Sequence, residues 1–221
     1  MATAVDNPGL MATHSLLRLS LTVLAMLTCW APATEATTVI PVDLQYCVRR
    51  AGFVFAGTVT GMKSARLDQT IVTHVDLSDV TYAKGKSRRE RIRITYEGGI
   101  LDSVRVFSAG QPGFSVGSRY ILMAHEDLGA KGPWYIPIVG VYQGFFQVVR
   151  DGKSSRVLDW VDRPVVGVEG RRLVVVSTGT SNRSHSASLV RVLPRDEDTG
   201  VRMTEREFLE VVRGIAAQPS D

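Results

Sequence analysis

Between Phe53 and Val149 the chain strings short β-branched and aromatic runs between glycines, and that punctuation leaves few folds open. Phe53-Val54-Phe55-Ala56-Gly57-Thr58-Val59-Thr60 has the side chains of a strand, with Gly57 and Gly61 marking a bend. In the next run Ile71, Val75 and Leu77 share one parity and Val80 and Tyr82 the other, a shift that a β-bulge near Ser78-Asp79 absorbs. Further strands are expected at Arg91 to Tyr96, with Ile92 and Ile94 inward, and at Ser103 to Ser108, with Val104 and Val106 inward. Another follows at Arg119 to Ala124, after the turn residues Pro112, Gly113 and Gly117. A last core hairpin is expected within Trp134 to Val149, around Gly140 and Gly144, ended by Asp151-Gly152. About five to six bent strands in so short a stretch suit a small closed barrel better than a flat sandwich.

Helices flank this β-rich segment. Asp43 is placed to cap a short helix with Leu44, Cys47 and Val48 on one face and Ala51-Gly52 as its stop, which makes Cys47 a core residue. Beyond Asp151 come two or three shorter β segments, Leu173 to Ser177 the clearest, then a polar loop from Thr178 to Ser186. Thr204-Glu205-Arg206-Glu207 is a capping box that opens an amphipathic helix with Phe208, Leu209, Val211, Val212 and Ile215 on its apolar face. That face packs either on this domain or on another protein. The expected fold class is mainly β: a small barrel, a C-terminal β extension and one terminal helix.

At the N-terminus, Arg18 precedes an uncharged apolar run, Leu19 to Leu27, that is too short for a stable membrane anchor. Ala31-Pro32-Ala33 and Thr34-Glu35-Ala36 then offer the small residues read by a signal peptidase. Residues 1–36 are therefore expected to be an export signal, with Met11 an alternative start, and the protein to be secreted or periplasmic. Cys29 falls in the signal and Cys47 in the mature chain, so export leaves no internal disulfide. No later segment is apolar for long enough to span a membrane. The formal net charge of +4 is spread over residues of both signs and selects no partner by itself.

Arg50 to Val59, the segment Val75 to Gly85 ending in Ala83-Lys84-Gly85, Gly110-Gln111-Pro112-Gly113-Phe114 with Gly117 to Tyr120, and Gly140 to Val148 together resemble the netrin-like and tissue-inhibitor-of-metalloproteinases-like domains. The match is to their bacterial secreted versions. The resemblance implies an OB-fold barrel over residues 37–150, with residues 151–221 appended, and a secreted protease or other extracellular protein as partner. In the best-known members a mature N-terminal cysteine occupies the protease zinc through its amino nitrogen and carbonyl oxygen. Cys47 is internal and lacks a disulfide partner, so that mechanism does not carry over.

Other residues carry competing readings. Lys84, Lys86, Arg88, Arg89, Arg91 and Arg93 form the densest cationic stretch; a solvated hairpin accounts for it, or else it grips an anionic surface polymer or lipid headgroups. Export and the lack of a stacking platform argue against nucleic acid. Trp134, Tyr142 and Phe145 belong to an aromatic group, with Tyr135 and Phe146, that is divided between core and a partner-facing patch. Gly113-Phe114-Ser115-Val116-Gly117 matches a nucleophile elbow, with Asp159 or Asp162 and His185 following, but Pro112 before it and a strand after it are the wrong context for a serine hydrolase using Ser115. His74, Asp76 and Ser78 alternate on one strand, and no other histidine has ligand spacing to them. The expected protein is a non-enzymatic binding or modulatory module that needs no cofactor or metal.

Overall fold

The computed structural model describes residues 40–85, 89–107, 110–111, 113–128, 137–152, 154–177 and 190–219, all within the unit Val39–Asp221. The expected signal at 1–36, Lys86, Arg88, Trp134, Tyr135 and the loop 178–186 lie outside the described residues.

Helix α1, Leu44–Arg50, begins where Asp43 accepts the Tyr46 N–H at 2.6 Å, and it buries Leu44, Cys47 and Val48. Strand β1, Phe53–Leu67, and β2, Thr70–Lys84, form a long antiparallel hairpin. The register places Ala56 opposite Thr81 but Thr58 opposite Ser78, so β2 carries an extra residue at Asp79-Val80, with Asp79 at φ 53°. That is the bulge expected from the parity shift, and it bends the hairpin. Strands β3, Ile92–Glu97, β6, Arg119–Ala124, β7, Phe145–Asp151, and β8, Ser154–Leu158, complete a six-stranded sheet of order β3-β2-β1-β6-β7-β8.

Two expected strands come out differently. Ser103 to Ser108 supplies only β5, Val104–Val106, which pairs with β4, Gly99–Leu101, in a separate two-stranded ribbon. Val104 is consequently exposed rather than inward. Residues 137–144 form turns with a single bridge, Ala124 to Ile138, so the last hairpin is instead β7–β8, closed by Asp151-Gly152. β9, Val165–Glu169, β10, Arg172–Val176, and β11, Val190–Leu193, make a three-stranded sheet. Helix α2, Glu205–Ala217, ends the described chain, with both hydrogen bonds of the Thr204–Glu207 capping box present.

The central strands are buried on both faces. Val54, Ala56, Ile121, Met123, Phe146 and Val148 pack against α1, α2 and the three-stranded sheet. Their neighbours Phe55, Tyr120, Leu122 and Phe145 join Ile92, Ile94 and Tyr96 of β3 in a second core. Strand β3 is three places from β6 in the sheet order, so a shared core means that the sheet curls. Phe114 fills the gap: its ring lies 6.1 Å from Tyr96, 5.2 Å from Tyr120 and 5.2 Å from Phe145. The expected closed barrel is therefore a curled sheet whose β3 edge meets β6 and β7 through side chains; among the described residues no hydrogen-bonded pairing joins β3 to β7 or β8. The terminal helix packs in cis, with Phe208 at 4.8 Å from Phe146.

Candidate functional site

The sequence motifs resolve into structural roles first. Lys84 donates to the carbonyls of Val48, Arg49 and Ala51 at 2.8, 2.9 and 2.7 Å, closing the C-terminal end of α1. Those carbonyls lack partners within the helix and attract a cation, while burial lowers the pKa of the Lys84 amine. Arg93 is held by Asp76 through two bonds of 2.7 and 3.0 Å, and that hydrogen bonding holds the Asp76 carboxyl below its usual range. Of the described cationic stretch, Arg89 and Arg91 are exposed. Phe145 lies in the second core, and Tyr142, half-buried, sits 4.4 Å from Trp160.

Ser115 occupies a turn in which Ser118 N–H donates to its carbonyl at 3.1 Å, and its own N–H donates to the Tyr120 hydroxyl at 3.0 Å. The segment runs straight into β6, with no helix to supply donors behind the serine. Asp159 is buried and accepts from Arg163 Nε and from the N–H groups of Val161 and Arg163, stapling the turn before β9. His185 lies outside the described residues. His74 Nδ1 is 2.8 Å from the Thr95 hydroxyl, and among the described residues no group of three His, Cys, Asp or Glu side chains is placed to hold a metal ion.

Two cavities lined by described residues carry the remaining candidates. One, of about 400 Å³, opens beside the β2 bulge at Asp79 and the first turn of α2. In it Arg119 donates twice to Glu205, each at 2.8 Å, and to both the carboxylate and the backbone carbonyl of Asp79 at 2.9 Å, so the main charges cancel within the wall. Burial alone lowers the Arg119 pKa, but the bond to Glu205 and the charges of Glu205 and Asp79 outweigh it and raise the value. This cavity is a staple between sheet and helix.

The other cavity, a groove of about 350 Å³, lies where the β4–β5 ribbon crosses the far half of the β1–β2 hairpin. Its floor is rigid. Thr73 donates to the Gly98 carbonyl at 2.6 Å, Ser64 and Thr73 hydroxyls are 3.3 Å apart, and Ile100 N–H donates to Ser64 Oγ at 3.3 Å. Gly99, at φ 142°, lets β4 lie flat on these hydroxyls; a Cβ there would overlap both. Tyr96 forms the inner end, its phenol pKa raised by burial against hydrogen bonds with Thr73 and Gln111.

The groove's rim is apolar and open. Phe107 is 76 % exposed, Ile100 60 % and Met62 38 %, clustered around one depression. Lys63 and Arg105 stand beside them, and among the described residues no carboxylate lines the groove. None of these residues was singled out by motif or spacing. Phe107 looks like the end of a strand in the sequence, and only the displacement of the β4–β5 ribbon from the main sheet leaves its ring in solvent. No protein-family model and no curated protein matches the chain. Among the described residues no helix is long and apolar enough to cross a membrane.

Proposed function

We propose that the chain is an exported, non-enzymatic binding module of the netrin-like or tissue-inhibitor-like OB-fold kind, and that it docks a protein outside the cytoplasm in the Phe107 groove. The observation that carries the reading is the cluster of Phe107, Ile100 and Met62, large apolar side chains in solvent around a floor held by hydrogen bonds. Such a patch costs free energy until something covers it, and covering one ring of this kind contributes about 1.5–3 kcal/mol. The OB-fold part of the reading draws support from the meander β1–β2–β3, the placement of β6 and β7 on the far side of β1, and the shared core that draws β3 towards β6 and β7.

Zinc capture by a terminal cysteine is no part of this mechanism. Cys47 is buried in α1, and burial, with the nearby Asp43 charge, pushes its thiol up to about 12. A secreted protease remains a fitting partner, engaged through the groove rather than through its metal. The anionic-polymer alternative is narrower than the sequence suggests, because Lys84 and Arg93 are already engaged.

Paired affinity capture tests the reading. The mature protein and its Phe107→Ser variant are exposed side by side to envelope and culture-medium proteins at low and moderate salt. A protein retained at moderate salt by the first, and depleted at least about tenfold on the second, is the expected result. Equal retention by both, or retention at low salt alone, overturns it and favours the polymer alternative.

A further inference from the structure

Strand β1 has backbone partners on both sides only near its start. Strand β6 pairs with Phe53 to Thr58, and Val59 then exchanges hydrogen bonds with Ser118 and Gly117 at 2.9 and 2.8 Å. Strand β2 continues alongside as far as Leu67 opposite Thr70. From Thr60 to Leu67 the other edge of β1 therefore has no backbone–backbone partner among the described residues. A strand edge of this kind presents N–H and C=O groups at every second residue and is a template for another strand.

This edge borders the groove, since Met62, Lys63 and Ser64 all line it. The geometry points to β-strand addition: an extended acidic segment of a partner protein pairs with β1 between Thr60 and Leu67, and this deepens, and rests on, the binding-module reading above. Successive side chains of an added strand alternate between faces. Residues on the Met62 and Ser64 face enter the groove against Ile100 and Phe107, so they are apolar. Lys63 alternates with Met62 and Ser64 and reaches the groove only at its edge, so residues of the added strand on its face, and those that meet Arg105 at the groove mouth, are carboxylates. Self-pairing is disfavoured by the same charges: two copies of this edge would gather two lysines and two arginines, Lys63 and Arg66 of each, along one short ladder.

The probe is a short fluorescent peptide that alternates glutamate with valine and phenylalanine, compared with a version carrying lysine for glutamate and with an acidic version N-methylated at alternate residues. The mature chain is expected to bind the acidic peptide at least about tenfold more tightly than the lysine peptide. N-methylation removes the binding, and amide hydrogen exchange slows between Thr60 and Leu67 in the complex. The double variant Lys63→Glu with Arg105→Glu reverses the preference between peptides, a gain that a misfolded protein cannot give. Equal binding of the N-methylated peptide, no charge preference, or no binding overturns strand addition. So does a concentration-dependent dimer that protects the same amides. Should a salt-resistant partner still be lost with Phe107→Ser while the peptides fail, the binding module stands and only this mode of recognition falls.

Discussion

The two halves of the β1–β2 hairpin are one continuous ladder with opposite fates. At its root, β1 from Phe53 to Val59 lies between the two cores with strands on both edges, while its partner from Leu77 to Lys84 is capped against α1 by Lys84 and bent by the Asp79 bulge. Its tip, Thr60 to Leu67, keeps one partner strand, carries exposed Met62, Lys63 and Arg66, and shares a groove with the displaced β4–β5 ribbon. Strand pairing alone does not decide which part of a sheet is structural. What decides it is whether both faces and both edges are covered, and here coverage stops near Val59. The root anchors the domain so that the tip can be left open.

If that division is right, substitutions at the root unfold the protein and those at the tip do not. Phe208→Ala removes the ring that α2 sets against Phe146 and is expected to destabilise by about 3–5 kcal/mol, read from the midpoint of urea unfolding. Lys84→Met keeps the aliphatic stem but strips three carbonyls of their donor. Its expected loss is about 1–3 kcal/mol, with α1 amides exchanging faster than those of β6. A Lys84→Met chain as stable as the parent, with weaker polyanion binding instead, would return this residue to the basic surface.

Thr204→Ala comes next, at about 1 kcal/mol, because it removes the side-chain half of the α2 capping box. It also changes the response to acid. The Thr204 N–H, then its hydroxyl, hold the Glu207 carboxyl below its usual range. A carboxyl lowered in the folded state binds fewer protons there than in the unfolded chain. Its stabilisation is full above the unfolded value of roughly 4.3 and fades as pH falls through the folded one. Thr204→Ala and Glu207→Gln should both flatten the acid limb of stability against pH, and an unchanged limb would show that the box is open in solution.

Local signals in the sequence were legible, and distant ones were not. Asp43, the parity shift at Ser78-Asp79, the run Arg119 to Ala124 and the Thr204–Glu207 box each act within a few residues, and each appears where its spacing puts it. Phe145 and Phe146 lie on opposite faces of β7, and both are buried because α2 covers the second face. Lys84 misled because its acceptors lie 33 to 36 positions earlier, so a basic run hid a helix cap. Val104 misled for a related reason: its spacing with Val106 fits an inward strand, but Gly99 lays the ribbon across the hairpin instead of into the sheet. The groove is made by that crossing and has no counterpart in any single stretch of chain.

Phe107→Ser is the smallest effect on stability and the sharpest test of the comparison. A ring that is 76 % exposed forfeits little packing when removed, so unfolding should move by no more than about 0.5 kcal/mol with an unchanged dependence on denaturant. Partner capture, by contrast, should collapse. A loss above about 1 kcal/mol would mean that the ring is packed in solution, because only buried apolar area yields such a penalty. The β4–β5 ribbon would then close over the edge from Thr60 to Leu67, and the tip would be a second core rather than a binding surface. Neutral stability with lost binding keeps the two halves distinct, since no structural role for Phe107 predicts that pair of results.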